Sequence, residues 1–121
     1  MDLMVLAVPD CPNARLLEER LAQVLAGRCD VSVSRQVIED EEEAARRGMH
    51  GSPTILVDGT DPFAEPGQRA SVSCRLYRDS DGRVGGAPSV SQLRQAIGGQ
   101  PPLRPMRAAR AGWMCHARWL Q

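Results

Sequence analysis

Gly51-Ser52-Pro53-Thr54-Ile55-Leu56-Val57-Asp58-Gly59 holds a chain break, a short apolar strand and a turn in direct succession. Gly51-Ser52-Pro53 interrupts regular structure, because proline has no N–H to give to a ladder. Thr54 to Val57 is apolar and β-branched, and Asp58-Gly59 is a turn signal. Near the N-terminus, Leu3-Met4-Val5-Leu6-Ala7-Val8 is a continuous apolar run bounded by Pro9. Such a run suits a strand buried on both faces. Asp10-Cys11-Pro12 then reads as a helix start, since proline's missing N–H would have no partner at the first helical position anyway. Residues 12–27 carry Leu17, Leu21, Val24 and Leu25 on one stripe, and Gly27 ends the helix.

Between these pieces, Val31, Val33 and Val37-Ile38 predict a second strand. Glu39 to Glu43 is an acidic run, read as the first turn of a helix facing its positive dipole end. Arg46 and Arg47 fall in the last turn and Gly48 is the stop. Beyond Gly59, residues 60–70 are a loop rich in Pro, Gly and charge, in which Phe63 is expected to plug the core edge. Ser71 to Arg78 predicts one strand with Val72, Cys74 and Leu76 facing inward. Asp79 to Gly86 is turn-rich. Ser89 to Ile97 predicts a last helix, capped by Ser89 or Ser91, with Val90, Leu93 and Ile97 inward and Gly98-Gly99 as its end. The order is β-α-β-α-β-β-α, an α/β domain over residues 1–99. Residues 100–121 are a Pro/Arg-rich linker and an accessory tail.

The chain has 121 residues, which suits one domain. Formal net charge is +0, so no nucleic-acid or membrane partner is implied. The charge is unevenly spread. Residues 1–100 hold all fifteen acids and eleven arginines, a net −4; residues 101–121 hold four arginines and no acid, a net +4. The tail carries both tryptophans, Trp113 and Trp119, and Met106 to Leu120 predicts one helix. Exposed tryptophans are unfavourable, so the tail docks on its own body or joins a second copy as a homodimer; a disordered, fraying terminus is the other expectation. Met1 to Val8 is short and contains Asp2, unlike an export signal. No run approaches the roughly 20 apolar residues of a membrane span. A cytoplasmic protein with mainly reduced cysteines is the expectation. Cys11, Cys29, Cys74 and Cys115 are widely and irregularly spaced, without a C-x-x-C, so no structural metal and no cofactor is called for.

The strand–Asp-Cys-Pro-Asn-Ala–helix of residues 3–27 and the Ser52-Pro53-Thr54 segment together resemble the thioredoxin superfamily, over roughly residues 2–98. More narrowly, the chain resembles small bacterial thioredoxin-like proteins grouped with alkylmercury-lyase relatives. The resemblance implies a thioredoxin-like fold with a central four-stranded mixed sheet, a cis Ser52–Pro53 bond, and Cys11 at the active-site position. Pro12 stands beside it. It also implies that Ser52 and Pro53 lie next to the cysteine and bind an extended partner peptide through backbone hydrogen bonds.

A thiol at a helix N-terminus sits beside unpaired N–H groups and the positive dipole end, which stabilise thiolate. Asp10 pulls the other way. The superfamily's second cysteine would stand at position 14, where this chain has Ala14. Local release of a mixed disulfide by internal attack is therefore absent. Cys29 lies roughly 24 Å along the helix, against the ~6 Å a disulfide needs. Cys74 is expected to be buried, and Cys115 reaches Cys11 only if the tail folds back. His50 is a candidate Cys–His partner, although a solvated loop histidine is the simpler expectation. The resulting expectation is a monothiol redox or thiol-transfer protein, a disulfide oxidoreductase, acting through Cys11. Its partner would be a protein disulfide or a low-molecular-weight thiol, and an external thiol would resolve the adduct. A non-catalytic binding module using the Cys11/Pro53 groove is the alternative, and thiol-based handling of an organomercurial or soft metal a third, which needs converging thiols.

Overall fold

A computed structural model of the chain describes residues 1–79, 81–98 and 118–119. In chain order the elements are β1 (Asp2–Ala7), α1 (Pro12–Leu25), β2 (Ser32–Val37), α2 (Glu41–Arg47), β3 (His50–Ser52) and β4 (Thr54–Val57). There follow β5 (Ser71–Cys74), β6 (Tyr77–Arg78), β7 (Val84–Gly85), α3 (Val90–Ile97) and β8 (Arg118–Trp119). The architecture is mixed α/β. A mixed sheet has the order β4-β1-β2-β8, with β1 parallel to β2 (Leu3 opposite Val33) and antiparallel to β4 (Leu6 opposite Thr54).

The apolar run of β1 is buried on both faces, as its sequence predicts. Leu3 and Val5 face α1 and α3, where they join Leu17, Leu21, Leu25, Val33, Ile55, Leu93 and Ile97 in one core. Leu6 faces α2 and joins Ile38, Ala44, Met49 and Leu56 in a second. Full burial of such a side chain is worth about 1.5–3 kcal/mol. Phe63 packs at the edge of the first core, as expected.

The helices start and stop where their caps dictate. Pro12 opens α1, and the chain leaves it after Leu25, two residues short of the expected end. Asp40 caps α2 by accepting the Glu43 N–H, the first-turn acids are Glu41 to Glu43, and Gly48 ends the helix at φ 79. That left-handed conformation is cheap only for glycine. Ser89 and Gln92 form a reciprocal capping box at the start of α3. Arg20 of α1 donates to the carbonyls of Ala87 and Pro88, tying the segment before α3 to α1.

Several expectations are corrected. The Ser71–Arg78 strand is broken: β5 pairs in parallel with the short β3, and β6 pairs separately with β7. The fourth member of the β1–β2–β4 sheet is β8, next to β2. Cys74 is exposed and Leu76 is 72% exposed, whereas Arg75 and Tyr77 are buried, at 5% each. Val72 packs against the second core as expected, but from Cys74 onward the alternation runs in the opposite phase, because Arg75 answers a buried carboxylate, described below. Cys29 is disulfide-bonded, against the expectation of reduced cysteines. In the tail, Arg118 and Trp119 are strand where the sequence predicts helix, paired in parallel with Ser32 and Val33. The rest of that helix, with Met106, Trp113 and Cys115, and the proline linker lie outside the described residues. No described helix is long and apolar enough to cross a membrane.

Candidate functional site

Cys11 is the N-cap residue of α1. Its backbone is extended (φ −73, ψ 114) and its side chain makes no capping hydrogen bond. The thiol is free and partly exposed. It is delivered by a turn at Pro9-Asp10 that reverses the chain between β1 and α1. Asp10 adopts φ 58 there, a left-handed conformation that aspartate tolerates better than most residues. Ala14 is buried at 7%, and its N–H bonds to the Cys11 carbonyl at 3.2 Å. The first turn of α1 thus buries a methyl group three residues after the thiol.

A cleft of about 440 Å³ opens in front of Cys11. Asp10, Pro12 and Arg15 form one wall, and Val8, Arg35 and Val37 another. Arg35 reaches across from β2 to α1, where Glu18 grips its guanidinium at both ends, with Nε 2.6 Å from Oε2. Arg15 is exposed, and among the described residues it has no ion-pair partner.

No protein-family model matches this chain, and neither a curated protein nor a solved structure shows significant similarity to it. The chemistry is therefore read from the site itself.

Ser52 and Pro53 do not line the cleft; they support it from below. The Ser52–Pro53 peptide is cis, as the resemblance implies. Ser52 is 1% exposed, and its hydroxyl accepts the Val8 N–H at 3.1 Å, fixing the end of β1 that leads into Cys11. Its carbonyl accepts the Arg75 N–H at 3.1 Å. The Pro53 carbonyl accepts the Tyr77 hydroxyl. Both carbonyls that an extended partner peptide would meet at this bend are thus taken within the chain, by Tyr77 of β6 and by Arg75, between β5 and β6.

Beneath this lies a buried polar cluster that the sequence reading missed. The Asp61 carboxylate accepts from Arg75 Nη1 at 2.7 Å and from the Phe63 N–H at 2.9 Å, and pairs with His50 Nδ1 at 2.9 Å. Arg75 also donates to Thr54 Oγ1 and to the Phe63 carbonyl, and its guanidinium lies 4.6 Å over the Tyr77 ring. Every polar group in the cluster finds a partner, the condition under which buried charge is tolerated. Burial pushes the Tyr77 hydroxyl well above its ordinary range near pH 10; the Arg75 charge opposes this and the Asp61 charge adds to it. His50 is thus neither a solvated loop residue nor a partner of Cys11; it is a half-buried member of β3 paired with Asp61. The signal in the sequence was Arg75 itself, a charge in the middle of an otherwise strand-like segment. Gly51 is required beside it: at φ 117, a Cβ would lie 2.8 Å from the Arg75 Cβ. Among the described residues, no group of three or more His, Cys, Asp or Glu side chains is placed to hold a metal ion.

Proposed function

We propose that this chain is a thioredoxin-like, single-thiol redox or thiol-transfer protein acting through Cys11. The observation that carries the reading is a free, uncapped thiol at the first turn of α1, open to a cleft. In the reaction, the Cys11 thiolate attacks one sulfur of a disulfide. A Cys11–substrate disulfide forms, the substrate S–S bond breaks, and the departing thiolate takes a proton from solvent. Ala14 offers no second thiol, so an external thiol attacks the adduct and returns Cys11 to its reduced form.

The binding-module alternative relies on a groove between Cys11 and Pro53. The burial of Ser52 and the pairing of β3 with β5 count against that groove.

Exchange of the full chain with small disulfides of anionic, neutral and cationic character tests the proposal, read by peptide mass and compared with a free cysteine peptide. The expected result is a mixed disulfide on Cys11 that forms faster than on the peptide for at least one of them, and no adduct at position 11 in Cys11→Ser. Rates on Cys11 no faster than the peptide's for every one of them remove the reading.

A further inference from the structure

The two sides of Cys11 differ in what they can receive. An extended peptide docks by adding a strand to a free sheet edge. Beside Pro53 that edge is taken, since His50 and Ser52 pair with Ser71 and Cys74, and the Ser52 carbonyl already holds the Arg75 N–H. The open approach is the cleft on the β2 side, whose 440 Å³ is the size of a small-molecule site.

Two guanidinium groups flank that cleft. Arg15 lies one helical turn after Cys11, so the two side chains rise from the same face of α1. It is exposed and has no ion-pair partner among the described residues. Arg35 comes from the facing strand, held in place by Glu18 and still 55% exposed. Asp10, which precedes the thiol in the turn, is the acid among the lining residues. The remaining lining near the thiol is apolar: Val8, Pro12 and Val37.

We propose that the Cys11 cleft takes a small disulfide that bears a carboxylate, in preference to a protein disulfide. Arg15 is the partner of that carboxylate and Arg35 the second donor. This inference rests on the single-thiol reading of Cys11. The exchange balances without an added oxidant: the Cys11–sulfur bond forms as the substrate S–S bond breaks, and one anionic thiol leaves.

The test measures thiol exchange on the full chain carrying Cys74→Ser, with three probes of different charge. These are 5,5′-dithiobis(2-nitrobenzoate), neutral 2-hydroxyethyl disulfide and cationic cystamine. Each rate is divided by that of the same probe with N-acetylcysteine amide, and peptide mapping places the adduct on Cys11. At low salt the normalised rate for the anionic probe is expected to exceed that for cystamine by about tenfold, shrinking at high salt. Arg15→Gln brings the ratio close to one, and Arg15→Lys keeps most of it. Rapid exchange at Cys11 with no charge preference, or a preference unchanged in Arg15→Gln, overturns the inference and leaves the single-thiol reading standing. Exchange at Cys11 no faster than the free thiol for any of the three probes overturns both.

Discussion

Asp61 and Arg75 are the residues on which the support beneath Cys11 depends. Their side chains are 3% and 4% exposed. Removing one partner leaves the other charge buried and uncompensated, so Asp61→Ala should cost about 3–5 kcal/mol. The double substitution Asp61→Leu with Arg75→Met should recover most of that loss in urea denaturation, because the desolvation penalty disappears with the pair. Cys74→Ser belongs at the other extreme: the thiol is exposed, so stability should change by no more than about 0.5 kcal/mol. Tyr77, the chain's single tyrosine, makes a pH prediction. Its pKa is raised in the folded protein, so the unfolded chain ionises first. The stability from its neutral, buried hydroxyl is intact below about pH 10. Above that it falls by about 1.4 kcal/mol per pH unit until the folded form also ionises. Denaturation midpoints between pH 9 and 11 should show this decline in the native chain and a shallower one in Tyr77→Phe.

Among the elements, the short helices depend most on their ends. Asp40 and Ser89 each satisfy an N–H that no helical carbonyl can reach. Ser89→Ala breaks one arm of a two-way capping box and should cost about 1 kcal/mol by thermal unfolding, while Ser89→Asp should retain most of the stability. The β3–β5 pair is sensitive in a different way. Gly51 combines a left-handed backbone with close approach to Arg75, so Gly51→Ala strains both strands at once. That substitution is expected to destabilise more than Ser89→Ala. If the order is reversed in urea denaturation, the β3–β5 contact is looser than the structure indicates.

For the molecule as a whole, β1 is the shared wall of two cores, one with α1 and α3 and one with α2. Leu6→Ala, on the α2 side, should cost about 2–5 kcal/mol even though that core is the smaller. The tail closes the sheet at β2 through Arg118 and Trp119. Removing residues 101–121 uncovers the β2 edge, and the melting temperature should drop by several degrees. An unchanged melting temperature would mean that β8 adds nothing to the fold.

The sequence by itself determined what depends on near neighbours. The apolar run of residues 3–8 specified a strand buried on both faces. Pro12, Gly48, Ser89 and Gly98 marked helix ends, and the acids and arginines of residues 39–47 placed α2. Cys11 at the head of α1 and Ala14 behind it were equally legible, because caps, dipoles and periodicity act within a turn or two of chain. Only the tertiary structure decided which strands pair and which phase of residues 74–78 points inward. Local alternation puts Cys74 and Leu76 in the core. The protein buries Arg75 and Tyr77, because Asp61, fourteen residues earlier, supplies a buried carboxylate that needs a cation. The same holds for the cleft: Arg15 and Arg35 are twenty residues apart in the chain and meet only because β2 lies parallel to β1 beneath α1. A buried charge, like a cleft, depends on contacts between distant parts of the chain, and local pattern carries no record of those contacts.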